Sequence, residues 1–234
     1  MKILAINTAV RQSSITLWEN NKEIWEFFYA TNSKTYGETI FINLDLLLKR
    51  SNWSLEDIDL YVVSKGPGSF TGLRIGVMVI KTLAQVFDKP VVAPSYLDVL
   101  AYQNKFPGVI FSILPARKGE IHVASYKNWN NFQKIETERV YLIKEFLDKL
   151  KEFNEEVLLV GEIPESLRKV IPQNIKFTSE SLAFARGSAL AELGFLMFQR
   201  GEYLNSLELK PYYGQKSSAE INWEKIHGRG EERF

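Results

Sequence analysis

The start of the chain contains short β-prone apolar runs separated by polar turns, a pattern typical of β-strands. Polar turns divide it into three runs, which predict antiparallel strands at residues 3–7, 14–18 and 23–29. Apolar residues at helical spacing then predict helices, and short β-prone runs predict further strands. The helices are expected at residues 38–50, 72–87 and 95–103, and the strands at 59–64 and 90–93. The first half therefore contains three strands, a helix, a strand, a glycine-rich turn and a second helix.

The second half of the chain repeats this order without repeating the residues. Strands are predicted at residues 109–116, 120–126, 131–140, 156–160 and 175–177, and helices at 141–153, 164–170 and 182–200. The same series of elements twice indicates a duplicated α/β fold. We expect an N-terminal lobe at residues 1–104, a C-terminal lobe at 105–216 and a polar tail at 217–234. A single α/β domain with a coincidental order of elements is the alternative.

Two lobes with this order of elements are typical of the actin-like (ASKHA, ribonuclease H-like) fold, many of whose members bind ATP. Fold alone is a poor guide to function. The first turn of such a protein usually supplies an acidic residue and a glycine, whereas this chain has Asn7 and no glycine there. The second turn offers Arg117 and Lys118 without a preceding acid. An amide cannot replace a carboxylate as a general base or magnesium ligand.

Composition narrows the possible functions further. The 29 basic and 28 acidic side chains leave a net charge of +1, which argues against binding long nucleic acids by charge alone. There is no cysteine, and no apolar run approaches the roughly 20 residues of a membrane-spanning helix. We therefore expect a cytoplasmic protein without a membrane segment. His122 and His227 lie far apart and form no zinc motif, so no metal, cofactor or catalytic residue is predicted.

The stretch GPGSFTGLRIG at residues 66–76 raises the question of a phosphate-binding loop. Its glycine spacing matches neither the dinucleotide fingerprint nor the P-loop. Ser69 and Thr71 are better interpreted as caps that accept hydrogen bonds from the first amides of the helix. An anion could still bind at this helix end, and its predicted contacts are Ser69, Thr71 and Arg74.

The two helices flanking this stretch are apolar around more of their circumference than a helix on one sheet needs. Gly72 and Gly76 lie within the apolar arc, and an interior glycine suggests close approach of another backbone. We therefore predict a helix-on-helix interface with another chain, while burial in the lobe's own core is the alternative. The predicted interface residues are Tyr36, Ile40, Leu44, Leu47, Gly68, Phe70, Gly72, Leu73, Ile75, Gly76, Val79 and Leu83.

The run SKGPGSFTGLRIGV closely resembles the TsaB (YeaZ) family, which acts in threonylcarbamoyladenosine synthesis in tRNA. The segments ILAINTAVRQSSITLW, KPVVAPSYLDVLA, PARKGEIHVASY and LKPYYGQKS support it, so the resemblance covers nearly the whole chain in order. The chain departs from the family at Asn7 and Pro115, where an Asp is common, and at residues 35–38, where a histidine often precedes S-E.

The resemblance implies a non-catalytic, actin-like subunit. Its relatives pair, through the helices that flank the glycine stretch, with a metal-bearing TsaD subunit, which transfers the threonylcarbamoyl group to the adenosine beside the anticodon. A TsaE ATPase joins them in bacteria, tRNA is the substrate of the complex, and homodimers form when the partner is absent. Two alternatives stay open: a divergent actin-like ATPase or kinase, and a homodimeric anion-binding module.

Overall fold

The computed structural model describes residues 1–19, 22–30, 36–128, 131–153, 155–172, 175–215 and 223. Its helices are α1 (Tyr36–Ser51), α2 (Phe70–Val86), α3 (Tyr96–Tyr102), α4 (Ile143–Lys151), α5 (Glu165–Arg168) and α6 (Gly187–Gln199). Its strands are β1 (Lys2–Asn7), β2 (Gln12–Glu19), β3 (Lys22–Ala30), β4 (Leu60–Val63), β5 (Val91–Val92), β6 (Val109–Pro115), β7 (Glu120–Lys127), β8 (Gln133–Leu142), β9 (Val157–Gly161) and β10 (Lys176–Phe177). In the part of the chain described, no helix is long and apolar enough to cross a bilayer.

The ten strands form two five-stranded sheets with the same topology. The first has the order β3-β2-β1-β4-β5, and the second has the order β8-β7-β6-β9-β10. In each sheet the first three strands pair antiparallel, and the last two join them in parallel. The prediction of a duplicated actin-like fold is therefore confirmed.

The helices divide into outer and inner layers. On the outer face of the first sheet, α1 and α2 cover a core that includes Leu4, Ile6 and Tyr61. On the outer face of the second sheet, α4 packs against Phe111 and Leu159. The inner layer, between the sheets, consists of α3 and α6, which also contact each other.

The inner helices pack on the sheet of the other half of the chain. Helix α3 contacts β6, β7 and β9, whereas α6 contacts β1 and β2. Gly194 of α6 lies so close to Val62 that an added Cβ would approach the valine methyls to 2.6 Å. The two halves are thus joined by exchanged helices, and the boundary at residue 104 stays a prediction. The predicted tail at 217–234 lies outside the described residues, except for Trp223.

One predicted helix has a different start. The sequence predicts a helix over residues 182–200, but a 3-10 turn at Glu180–Leu182 precedes an extended Arg186, and α6 begins only at Gly187. Long-range contacts override local propensity here. The Ala185 carbonyl accepts a hydrogen bond from Asn7 Nδ2 at 3.3 Å, and an added Cβ on Gly187 would lie 2.0 Å from a side-chain oxygen of β2.

A buried carboxylate anchors the N-terminus of α6. Glu26 Oε1 accepts a hydrogen bond from the Gly187 amide at 2.6 Å, and Oε2 pairs with Arg186 Nη2 at 2.7 Å. The carboxylate is 2% exposed, and it lies at the positive end of the helix dipole. Glu26 therefore joins the edge strand β3 to the inner layer.

We expect Glu26→Ala to lower the free energy of unfolding by about 2 kcal/mol, because it removes a helix cap and two charge-assisted hydrogen bonds. Urea unfolding followed by circular dichroism measures the change. Glu202→Ala, at an exposed position, is the control and should have little effect. Equal stability of the two variants would contradict this role for Glu26.

Candidate partner surface and interlobe cleft

Helices α1 and α2 carry large apolar side chains on the side that faces away from the first sheet. The exposed fractions are 57% for Phe41, 68% for Ile42, 57% for Met78 and 68% for Val86. Leu46 is exposed as well. We call these five residues the α1–α2 ridge. Single exposed apolar side chains are ordinary, but a group of this size on adjacent helices is typical of a binding surface.

Most residues of the predicted interface face the other way. Ile75 and Leu83 are half-buried, Gly68 is half-buried in its loop, and only Phe70 is exposed. The side chain of Tyr36 lies outside the described part of the structure. The remaining residues belong to the core of this chain and are not available at its surface: Ile40, Leu44, Leu47, Gly72, Leu73, Gly76 and Val79. The width of the apolar arc on each helix did not reveal which side of the helix faces the sheet. The sequence therefore did not identify the ridge residues.

The glycines of α2 accommodate the chain's own first turn, not a partner helix. An added Cβ on Gly72 would lie 2.1 Å from the Thr8 carbonyl oxygen, and one on Gly76 would lie 2.2 Å from Thr8 Oγ1. Gly68 approaches the Ala9 carbonyl in the same way, with a positive φ of 158°. Thr8 Oγ1 also donates a hydrogen bond to the Gly72 carbonyl at 2.7 Å. The predicted close approach is correct, but the expected partner of these glycines was wrong.

The predicted caps and anion contacts of α2 have different outcomes. Ser69 is the N-cap, and its Oγ accepts a hydrogen bond from the Gly72 amide at 3.2 Å. Thr71 is exposed in the first turn, and its side chain caps no amide among the described residues. The Arg74 side chain contacts two aromatic residues. Its guanidinium lies 4.0 Å from the centre of the Phe70 ring, and its Nε donates a hydrogen bond to Tyr213 Oη at 3.0 Å.

The C-terminal segment at residues 204–215 runs along α2 and on to the second lobe. Leu204 bridges to β5, and Lys81 of α2 donates hydrogen bonds to the carbonyls of Leu207 and Leu209. At its end, Gln215 Nε2 donates to Glu120 Oε2 at 2.8 Å. This segment links the glycine-rich loop to the hairpin β6–β7.

A cleft of about 640 Å³ lies between the two lobes. Its walls are the first turn, the start of α2, the turn between β6 and β7, and the C-terminal segment. The lining residues are Ala9, Val10, Arg11, Gly68, Ser69, Phe70, Leu114, Pro115, Ala116, Arg117, His122, Glu162, Tyr213 and Gln215. Arg74 is not among them, so the arginines that line the cleft are Arg11 and Arg117.

Two titratable side chains with shifted pKa values line the cleft. His122 is 5% exposed, and burial lowers the pKa of its imidazole. The negative charge of Glu120 acts in the opposite direction but is the smaller effect. Burial raises the pKa of the Glu162 carboxyl group. Neither side chain forms a hydrogen bond or an ion pair within the described part of the chain. Both shifts favour the uncharged form, as expected for groups removed from water.

These two shifts make opposite contributions to the pH dependence of stability. The unfolded chain binds a proton at His122 below about pH 6.5, before the folded protein does, so this group destabilises the fold as pH falls. Glu162 takes up its proton first in the folded state, so acid stabilises the fold through this group. We expect His122→Gln to lose less stability than wild type as the pH falls from 7.5 to 5.5, and Glu162→Gln to lose more as the pH falls further toward the ordinary glutamate pKa of 4.5. Urea unfolding across these two ranges tests this, and unchanged pH dependence in both variants would contradict it.

Asn7, at the position where the fold usually carries an acid, has a structural role. Its side chain is fully buried, its Nδ2 donates to the Ala185 carbonyl, and its Oδ1 accepts from the Ala9 amide at 3.2 Å. Both halves of the amide are thus occupied in joining the first turn to the inner layer. Within the described residues, no three His, Asp or Glu side chains cluster as potential metal ligands.

Comparison with known proteins places the chain in one family. The family model for TsaD, tRNA N6-adenosine threonylcarbamoyltransferase, matches residues 30–221. A TsaD protein of Kosmotoga olearia is 27% identical over 168 residues, which are 64% of this chain and 51% of that protein. The chain thus spans about half of that transferase.

Relatives named TsaB match over a larger share of their own length. The tRNA threonylcarbamoyladenosine biosynthesis protein TsaB of Bacillus subtilis is 31% identical over 230 residues, which are 95% of this chain and 98% of that protein. The structure of YeaZ from Pseudomonas aeruginosa has the same fold, with a TM-score of 0.79 and 21% identity, covering 91% of this chain and 99% of that one. The chain therefore belongs to the TsaB (YeaZ) family of tRNA threonylcarbamoyladenosine biosynthesis proteins.

Proposed function

We propose that this protein is a non-catalytic subunit of the complex that places threonylcarbamoyl on the adenosine beside the anticodon of tRNA. It acts by binding a TsaD-type catalytic subunit through the α1–α2 ridge. The observation that carries the proposal is the ridge itself, because its apolar side chains are exposed in the single chain although they lie on two adjacent helices of the first lobe.

The chemistry of the ridge fits a helix-on-helix contact. The exposed side of α1 combines the apolar ridge residues with an ion pair, in which Lys49 lies 2.6 Å from Asp45. Specific interfaces combine apolar side chains with polar groups in this way. The sheet-facing sides of both helices are packed in the core, so a partner would meet a rigid surface and would not need to order it.

The state of the actin-like site supports an accessory role. In the turn where related folds place a carboxylate, the Asn7 amide is committed to two hydrogen bonds inside the protein. A side chain held this way lacks both the charge and the freedom that a general base needs. We therefore assign the chemistry of the complex to the TsaD-type subunit and the binding role to this chain.

The family to which the chain belongs suggests the other proposed partners. A TsaE-type ATPase would join the assembled pair, and tRNA would be the substrate of the complex. In the absence of the TsaD-type subunit, the exposed ridge would pair with that of a second copy, because an isologous contact satisfies both apolar surfaces. The homodimer and the heteromeric complex would then compete for one surface.

Solution mass tests the proposal. Light scattering after gel filtration should give a dimer for this protein alone, and a heteromeric mass after mixing with the TsaD-type subunit from the same source. The absence of a mixed peak at about 50 µM, a concentration far above the dissociation constant of a specific complex, would overturn the proposed pairing. If the mixed peak has a mass that includes a homodimer of this protein, only the proposed competition for the ridge would be overturned, and the proposed pairing would stand.

A further inference from the structure

We propose that a groove between the C-terminal segment and β8 binds RNA, with a backbone phosphate at two lysines and a base against a tyrosine ring. The groove has a volume of about 440 Å³ and shares no lining residue with the interlobe cleft or the α1–α2 ridge. We call it the lysine groove, and its lining residues are Lys65, Lys134, Thr137, Glu138, Lys210, Pro211 and Tyr212. This site depends on the proposed function only for the identity of the RNA, which would be the tRNA that the complex modifies.

Two ammonium groups at the lysine groove have no counter-ion. Lys65 follows β4 and is half-buried, and Lys210 is exposed on the C-terminal segment. Within the described residues, the side chain of neither lysine forms a hydrogen bond or an ion pair. Removing an ammonium group from water without a partner is unfavourable. A half-buried Lys65 beside a second unpaired lysine therefore favours an anion between them.

The charges on the β8 side of the groove are already paired with one another. Lys134 Nζ lies 2.6 Å from Asp98 Oδ1 and 3.6 Å from Glu138 Oε1. Asp98 is held further by a hydrogen bond that Tyr126 Oη donates to it at 2.8 Å. The acidic side chains near the groove thus have their own partners, and the positive charge of the two unpaired lysines is left for a ligand.

Tyr212 supplies a surface for a nucleobase. It lines the groove and is 39% exposed. Its amide donates a hydrogen bond to the Lys65 carbonyl at 2.7 Å, which fixes the tyrosine beside this lysine. Stacking of bases on exposed aromatic rings contributes to the binding of single-stranded nucleic acids of any sequence. A tyrosine next to two lysines is therefore suited to one nucleotide of an RNA chain.

The shape of the groove favours a segment of a long chain over a small molecule. Small-molecule sites bury most of their ligand, whereas Thr137, Lys210 and Tyr212 are all exposed. A nucleotide bound here would stay open to solvent on one side, so the RNA could continue in both directions. An acidic protein segment would also pair with the lysines, but it would not stack on the tyrosine as a base does. The net charge of +1 gives little general attraction for RNA, so the contact must be local.

Fluorescence anisotropy of the full chain with a labelled tRNA transcript tests the site. The transcript carries an adenosine beside its anticodon, and polyglutamate is the probe for an acidic protein segment. At about 50 mM salt we expect saturable tRNA binding with a dissociation constant below about 100 µM, the weak end of the range for sequence-independent binding of nucleic acids. Polyglutamate should compete poorly. The absence of saturable tRNA binding, or tighter binding of polyglutamate than of tRNA, would overturn the proposal.

The double variant Lys65→Gln/Lys210→Gln should weaken tRNA binding by about tenfold or more. It should also reduce the slope of log K against log salt by about 1 for each lysine that contacts a phosphate. The control is Lys151→Gln/Lys169→Gln, which removes the same charge from side chains that are 65% and 71% exposed elsewhere in the second half of the chain. Unchanged affinity in the first variant, or an equal loss in the control, would overturn the site.

Tyr212→Leu should weaken tRNA binding by about tenfold without changing the salt dependence, because it removes stacking and no charge. Tyr212→Phe should bind as wild type, since its ring stacks as well, and thermal unfolding would confirm that each variant is folded. Equal losses in the two variants would contradict a stacking role. These measurements use the protein without the TsaD-type subunit, whereas light scattering of the mixture tests the ridge. Either proposal can therefore fail without the other.

Discussion

Replacing Ile42 or Met78 by aspartate should abolish the complex with the TsaD-type subunit and leave the protein as stable as wild type. Ile42 is 68% exposed and Met78 is 57% exposed, so an aspartate at either position stays hydrated in the free chain. At the interface the same carboxylate would lose its water without gaining a partner. Truncation of central interface residues commonly costs 2 kcal/mol or more, and we expect a loss of affinity of at least about thirtyfold.

The control for this experiment is Val170→Asp. Val170 follows α5 in the second half of the chain and is 55% exposed, so it has similar exposure at a distance from the ridge. Gel filtration with light scattering and calorimetry would be applied to all three variants, with thermal unfolding to confirm that each is folded. Normal affinity in both ridge variants would place the interface elsewhere. Equal loss in the control would point to a general effect of added charge.

Gly76→Leu should destabilise the folded chain by more than about 3 kcal/mol, at or beyond the upper end of the usual cost of overpacking. The first added atom would already lie 2.2 Å from Thr8 Oγ1. The turn cannot retreat easily, because Thr8 is fully buried and bonded to the Gly72 carbonyl. The substitution therefore disturbs the junction between the first turn and α2, and we expect a large fall in the melting temperature.

A double-mutant cycle locates the cause. Gly76→Ala and Thr8→Ala should each destabilise the protein, but the double variant should be more stable than the sum of the two predicts, because Thr8→Ala removes the obstructing oxygen. Thr82→Leu, at an exposed position of the same helix, is the control for a larger side chain on α2. Additive effects in the cycle would contradict the proposed contact.

These two results separate a surface defect from a folding defect. Loss of the complex in Gly76→Leu would reveal nothing about the interface, since the substitution disturbs the fold of the chain itself. Ile75→Asp has the same weakness, because Ile75 is half-buried and packs against the core of the first lobe. Ridge positions are the informative ones, since their side chains contribute to binding and little to folding.

The order of elements was readable from the sequence because the patterns that define it are local. Short β-prone runs bounded by polar turns predicted β1 to β3 within about two residues at each end, and helical spacing predicted α1 and α2 with similar accuracy. The repeated order of elements then led to the duplicated fold. The family could also be recognised, because the stretch at residues 66–76 is contiguous. Each of these features depends on neighbours along the chain.

The tertiary structure alone decided what these elements face. Gly72 and Gly76 meet Thr8, more than sixty positions away along the chain, and no local pattern identifies such a contact. Likewise, Arg11 and Arg117 belong to opposite lobes and line the same cleft, and no local pattern in the sequence identifies this. The width of the apolar arc indicates how much of a helix surface must be buried. Which side of the helix is buried depends on the sheet that it packs against. The sequence by itself therefore determined the fold and the family. Only the packing decided which side of α1 and α2 is exposed, and it buried most of the residues that the sequence predicted for the interface.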